Sequence, residues 1–315
     1  MLDSPSSLTR ALVAIVGTDR VREGAPLSAC STFRCGGPAD WLVNASTVDE
    51  ARAVLSAAQA AQQHVTVLGG GSNVLIADAG IRGVVVRLRL LELSQPAPEL
   101  IQAGAGVTMN GVVRWTIGRG LKALEAWAGT PGTVGGAIYG NAHYGGRNIG
   151  DLVRRVCVMS RDGDITEVDA GDMAFAYDTS RLQRSGEWLL WAQFGVTAAE
   201  PDVLRAVARA SLAHRKHTQP LDVPSAGCIF QNPDPARDVV PAGMPVSAGA
   251  LVDRAGLKGH RIGGAMISTT HANFIVNDSG ASSSDVHALI QLARRAVLEQ
   301  FGVMLRNEVV LLGVF

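Results

Sequence analysis

Leu68-Gly69-Gly70-Gly71-Ser72-Asn73-Val74-Leu75 and Ala128-Gly129-Thr130-Pro131-Gly132-Thr133-Val134-Gly135-Gly136-Ala137 are the two stretches that decide how this chain is read. Each is a glycine-rich turn bordered by apolar residues, so each reads as a tight ordered turn and not as a linker. A backbone without Cβ can approach a ligand closely, and successive N–H groups form a concave site for an anion. Two such turns in one half of the chain suggest a long ligand with a charged middle, such as a dinucleotide. Neither turn carries the Lys-Ser or Lys-Thr that a P-loop places after its glycines to reach phosphate and magnesium. Gly69-Gly70-Gly71 also lacks the third glycine of the dinucleotide fingerprint, and Asn73-Val74-Leu75 looks like a strand where that fingerprint opens a helix. Two readings stay open at this level. In one, the N–H groups wrap a pyrophosphate with help from Ser72 and Asn73; in the other, the turns only reverse the chain.

Around the first turn the pattern is β–α–β. Trp41-Leu42-Val43 is strand-like, 47–63 is alanine-rich with apolar positions at helical spacing, and 64–68 and 84–88 are β-type runs. From Leu100 a second unit begins, with a strand over 101–106 and a helix over 108–118 that Thr108 can cap. Beyond the second glycine turn come strands over 153–160 and 165–168, joined by an Arg161-Asp162-Gly163-Asp164 hairpin, and a further strand over 188–196. Glu200-Pro201-Asp202 marks a boundary before a helix at about 203–215. The third unit has a glycine-spaced segment at 256–264, a strand at 273–276 and a helix over 284–301. Ser284 is a plausible cap for that helix, and Val286, Leu289, Ile290, Leu292, Ala293, Val297 and Leu298 form its apolar face. The expected division is a lead-in over 1–22, one domain over 23–198 with subdomains 23–90 and 91–198, and a second domain over 203–315 whose last strand can return to the first.

The composition narrows the function. With Lys+Arg 28 against Asp+Glu 28, the net charge is zero, which argues against a dedicated nucleic-acid or membrane-surface binder. Hydrophobic residues at 47% are enough for full cores, and Gly 36 in 315 residues points to many close backbone approaches. Cys30, Cys35, Cys157 and Cys228 match no zinc spacing and read as free thiols in a reducing cytoplasm. The start carries no secretory pattern and no run is long enough to span a bilayer. His271 and His260 have no carboxylate or thiol at a useful spacing, so no metal is expected. Oligomeric state stays open, with a monomer favoured.

Several further motifs appear in a fixed order. They are Thr32-Phe33-Arg34-Cys35-Gly36-Gly37-Pro38-Ala39, the two glycine turns, Pro224-Ser225-Ala226-Gly227-Cys228-Ile229-Phe230-Gln231-Asn232-Pro233, the 255–265 segment, His271-Ala272-Asn273-Phe274-Ile275-Val276-Asn277 and Glu308. Together they resemble the UDP-N-acetylenolpyruvoylglucosamine reductase family over nearly everything after residue 25. The short path from the 188–196 strand onward resembles the branch without a long substrate-covering insertion. The resemblance implies an α+β protein: a two-subdomain FAD-binding fold of the vanillyl-alcohol-oxidase (PCMH) type, then a C-terminal α+β substrate domain. It also implies non-covalent FAD, NADPH as hydride donor, and reduction of the enolpyruvyl ether of a UDP-sugar to UDP-N-acetylmuramate for peptidoglycan. The rivals are another flavin oxidase or dehydrogenase on the same scaffold, and a flavin-binding protein with impaired catalysis.

Hydride addition to that ether leaves an enolate-like dianion. The site therefore needs a cation or hydrogen-bond donors at the carboxylate and an acid at the adjacent carbon. The resemblance assigns the acid to Cys228, where the family usually has serine. A thiol with a reference pKa of roughly 8.5 is mostly protonated at neutral pH. It assigns a catalytic carboxyl group to Glu308. Where the family has arginine after the tyrosine of Phe175-Ala176-Tyr177, this chain has Asp178, which leaves Arg181 as the candidate cation. Tyr177 and Ser180 are expected to line the site. Arg215, Lys216 and Asn232 are expected at the diphosphate, with Gln231 a weaker candidate. Gly69, Gly70, Gly71, Ser72, Asn73, Gly129, Thr130, Gly132, Thr133, Gly135 and Gly136 are expected to hold FAD.

Overall fold

The computed structural model describes residues 6–315, so the first five residues of the expected lead-in lie outside the described residues. Contacts group the chain into two units, each with its own hydrophobic core. The first contains the stretch ending at Ala25, Ala39–Gly70 and Arg82–Ala213. The second gathers Pro26–Pro38, Gly71–Ile81 and His214–Phe315.

In the first unit, the Ser7–Val16 helix starts at Ser6, whose hydroxyl accepts the Thr9 N–H at 3.1 Å, and it buries Leu8, Leu12 and Val16 along one side. The Val48–Ala60 helix starts at Thr47 in the same way and buries Ala51, Val54, Leu55 and Ala58 at the three-to-four spacing of one helical face. A four-stranded sheet runs Val21–Pro26, Pro38–Ala45, Ile81–Leu88, Val65–Val67, the last two parallel. A five-stranded antiparallel sheet runs Ile165–Asp169, Val153–Met159, Trp188–Gly195, Leu100–Gly104, Leu93–Ala97. The Met109–Gly118 helix has Thr108 as its N-cap, as its sequence predicts: the side chain accepts from Gly111 N–H at 3.0 Å.

In the second unit, the Ser283–Phe301 helix packs on the strands Arg261–Ile262, Ala265–Ile267 and Ile275–Asn277. Its cap is Ser282 and not Ser284. Ser282 and Asp285 exchange hydrogen bonds at 3.0 Å in a capping box. Ser284 is instead turned to Asp78, which takes the N–H groups of Ser283 (2.8 Å) and Ser284 (2.9 Å) and the Ser284 hydroxyl (2.6 Å). Burial pushes the Asp78 carboxyl up, but the bonds from Ser284 and Ser283 outweigh it and hold its pKa below the ordinary value. Val286, Leu289, Ile290, Ala293 and Val297 are buried, whereas Leu298 is off the face and exposed. The Val310–Leu312 strand pairs in parallel with Val74–Ile76, residue 310 opposite 74 and 312 opposite 76. Among the described residues no helix is long and apolar enough to cross a membrane.

Candidate functional site

The first unit holds most of the glycine turns. Gly70 lies against the second turn so closely that a Cβ there would come within 2.7 Å of the Gly132 Cα, and one on Gly69 within 2.8 Å of the Thr133 hydroxyl. Glycine is required because two backbones meet edge to edge. Among the described residues the N–H groups of Gly69, Gly70 and Gly132 meet no acceptor. Three donors around one close approach suit the phosphates of a dinucleotide. The other expected residues are placed differently. Gly129 gives its N–H to Asn110 (2.8 Å), Thr130 to Trp127 O (2.9 Å), Gly135 to Ala105 O (2.9 Å) and Gly136 to the Thr133 hydroxyl (3.4 Å). Those four N–H groups hold the shape of the turn and are not available to an anion. Thr133 is the N-cap of the short Val134–Tyr139 helix.

In the second unit the backbone at Cys228 and the backbone at Glu308 are neighbours. Cys228 is bridged to Phe274, and the next residue, Ile229, accepts the N–H of Glu308 at 2.8 Å. Phe230 is bridged in turn to Asn307. Asn73, from the end of the first glycine turn, donates its side-chain amide to the Glu308 carbonyl at 3.2 Å and accepts the Val310 N–H at 3.0 Å. Asn73, Cys228 and Glu308 therefore share one backbone network. Gly227 has φ +80 with open space where a Cβ would sit, so it serves the turn that presents Cys228. Cys30, Cys35 and Cys157 are buried, whereas Cys228 is partly exposed. Burial pushes Cys157 up to about 11 and raises Cys35, so neither is poised to ionise at neutral pH.

Asn273 fixes this arrangement, although the sequence marks it only as part of a motif. It is buried, and its amide takes the Phe230 N–H (2.9 Å) and returns a bond to Phe230 O (2.7 Å), as a neighbouring strand would. Its own N–H goes to His271 Nδ1 at 3.2 Å. Burial, with the Lys258 charge, holds the His271 pKa below the ordinary value.

The segment after Phe175, in the first unit, departs from expectation. The Arg181 guanidinium forms a double bond pair with Glu187, at 2.9 and 2.8 Å, and its charge is matched there. Ser180 is fully buried and donates to Tyr139 O at 2.9 Å, a structural role in place of the expected lining role. Tyr177 is exposed, its ring 5.1 Å from that of His143. His143 Nδ1 lies 3.1 Å from the Asp178 carboxylate.

Of the residues expected at the diphosphate, Arg215 is buried and Lys216 exposed, both in the last turn of the Pro201–Thr218 helix. Asn232 is exposed and accepts the Ala248 N–H at 3.0 Å. It lies beside Gln231, Arg237, Asp238 and Arg306, which leave no room between them for a water molecule. Arg306 Nη1 is buried there with no hydrogen-bond partner among the described residues.

Known proteins are similar to this chain in sequence and in fold. Residues 219–312 match the family model for the C-terminal domain of UDP-N-acetylenolpyruvoylglucosamine reductase, and residues 39–169 match that for an FAD binding domain. UDP-N-acetylenolpyruvoylglucosamine reductase of Lachnoclostridium phytofermentans is 35% identical over 305 residues, 95% of each chain. This chain belongs to the UDP-N-acetylenolpyruvoylglucosamine reductase family. A Bacillus cereus relative of the same name is 36% identical over 93% of this chain and 95% of its own. The crystal structure of the Thermus caldophilus reductase superposes with a TM-score of 0.78 at 31% identity, covering 93% of this chain and 99% of that one. A glucose dehydrogenase, Phl p 4.0202, shares the fold alone: TM-score 0.50, 13% identity, 62% of this chain and 45% of that chain. The fold is α+β, an FAD binding domain followed by the family's C-terminal domain. FAD is the family's cofactor, and the Gly69, Gly70 and Gly132 cradle fits its pyrophosphate.

Proposed function

We propose that this chain reduces the enolpyruvyl ether of UDP-N-acetylglucosamine to its lactyl ether with electrons from NADPH. The product would be UDP-N-acetylmuramate, made in the cytoplasm for peptidoglycan. FAD, when bound, supplies hydride that it has received from NADPH. The observation that carries the proposal is the backbone network in which Glu308 is hydrogen-bonded to the residue that follows Cys228, with Asn73 bonded to the Glu308 carbonyl. It supports three roles for the chain's own residues. The thiol of Cys228 delivers the proton to the substrate carbon next to the carboxylate, and its partial exposure leaves it accessible for that transfer. The Glu308 carboxyl group, directly or through water, steadies the negative charge that develops. Gly69, Gly70 and Gly132 hold the cofactor's pyrophosphate, with Gly71, Ser72 and Asn73 continuing the same turn.

For the substrate's diphosphate, Arg215, Lys216 and Asn232 are the proposed partners. Arg181, matched by Glu187, is read as a brace of its own loop. The test is Cys228→Ala holoenzyme followed by visible flavin absorbance. NADPH should bleach it as it bleaches wild type, while reoxidation by the enolpyruvyl ether should slow by about 10²- to 10⁴-fold. Reoxidation at the wild-type rate would remove Cys228 from the chemistry. A preparation that takes up no flavin would overturn the whole reading.

A further inference from the structure

The second glycine turn is fastened to the start of the Met109–Gly118 helix. Thr108 and Thr133 are bridged, Met109 gives its N–H to Gly132 O at 3.1 Å, and Val134 gives its N–H to Val107 O at 2.8 Å. These bonds run between backbones and do not depend on which side chains are present. One fastening does. The Asn110 side-chain oxygen accepts the Gly129 N–H at 2.8 Å, where the turn begins. Asn110 is exposed, so burial does not account for it, and asparagine is a poorer helix former than alanine, leucine or glutamate. Nor does the helix need it as a cap, because Thr108 has that role. Gly129 and Gly132 have φ of +82 and +101, in the range that favours glycine, and only Thr130 and Pro131 lie between them. A stretch with glycine at both ends has much backbone freedom to lose, and a ligand that must order it binds more weakly for that reason. Gly132 supplies one of the three cradle N–H groups that meet no acceptor among the described residues. The far end of the 129–132 stretch is thus held by backbone and its near end by the Asn110 side chain.

We propose that Asn110 is a positioning residue for the flavin cofactor: by holding Gly129 it keeps the second glycine turn in the shape that presents the Gly132 N–H to an anion. This rests on the reading of the Gly69, Gly70 and Gly132 cradle as the seat of the FAD pyrophosphate. Asn110 stands outside both glycine motifs and acts on the cofactor only through the turn. Its effect falls on how long FAD stays, since affinity differences within one site appear chiefly as dissociation rates. The hydride and proton steps do not involve it.

The test follows the release of FAD from diluted holoenzyme as free flavin. In Asn110→Ala, release should be about five- to tenfold faster than in wild type, the worth of one such hydrogen bond. Bleaching by NADPH and reoxidation by the enol ether, measured with FAD in excess, should stay within about twofold of wild type. Asn110→Asp keeps an oxygen for the Gly129 N–H but adds a negative charge beside a turn that seats an anion. In about 1 M salt, where charges are screened beyond about 3 Å, Asn110→Asp should approach wild type while Asn110→Ala stays fast. Thr108→Ala removes the cap of the same helix and spares the Asn110 bond, so its release rate should stay within about twofold of wild type. Release from Asn110→Ala at the wild-type rate would overturn the inference. So would equal release from Asn110→Ala and Asn110→Asp in high salt. A Thr108→Ala rate as fast as that of Asn110→Ala would also overturn it, because the effect would then belong to the helix start as a whole. If wild type takes up no FAD, the reading of the cradle falls and this inference falls with it. If wild type holds FAD but the ether never reoxidises it, the proposed reaction falls and this inference stands. If wild type is competent and Asn110→Ala equals it, only this inference falls.

Discussion

The segment carrying Cys228 and the loop carrying Asp178 place their chemistry by different means. Around Cys228 the backbone does the placing: residue 228 is bridged to 274, residue 229 accepts from 308, residue 230 is bridged to 307, and Asn273 completes the ladder with its amide. A side chain there can be exchanged without disturbing what holds it. Around Asp178 side chains do the placing, through Asn141, Ser180 and Gln183. Such a site can change its residues only in concert. The lesson is that a backbone-built site stays legible as a motif, whereas a side-chain-built site can be rewritten and drop out of the motif.

Three substitutions test that contrast, in falling order of effect. Glu308→Gln should slow flavin reoxidation by the enol ether about 10²- to 10³-fold and leave folding alone. Stopped-flow traces and a thermal melt together read this out, and full-speed reoxidation would strip Glu308 of its role. Asn273→Ala should leave the buried Phe230 N–H and C=O without partners, at about 1–3 kcal/mol. Its melting temperature should drop by several degrees. An unaltered melt would mean that the bridges alone hold the Cys228 segment. Arg181→Ala should cost about 1 kcal/mol or less, since an ion pair this exposed is weakened by solvent. Turnover should stay within about threefold of wild type. A hundredfold loss of turnover would put the guanidinium back in the chemistry and dissolve the distinction between the two regions.

Much of the fold can be read from the sequence where the signal is local. Thr108 as a cap and the β–α–β run around residues 41–88 follow from spacing and polarity over a dozen residues or fewer. The cap of the long C-terminal helix lies two residues from its expected place, because three serines in a row are equally good caps on propensity. Only Asp78, about two hundred residues away, decides which of them is used for another purpose. The same limit applies to the site. Cys228 and Glu308 stand in recognisable motifs. Nothing near Arg181 in sequence reveals that Glu187, six residues on, matches its charge, since Arg184 and Glu187 lie at comparable spacing. His143 and Asp178 are 35 positions apart, and no periodicity connects them.

The strand partnership of residues 74–76 with 310–312 has a consequence for how the protein is made. Every segment of the first unit has been synthesised by residue 213, so its core can consolidate while the remaining hundred residues are made. The second unit cannot: Phe33, Leu75 and Asp78 are translated early, and partners they pack on or bond to arrive more than two hundred residues later. Contacts that distant in the chain form slowly. Until then the apolar stretch at 74–76 is an unpaired strand edge, the part of a nascent chain that a holdase chaperone would shield.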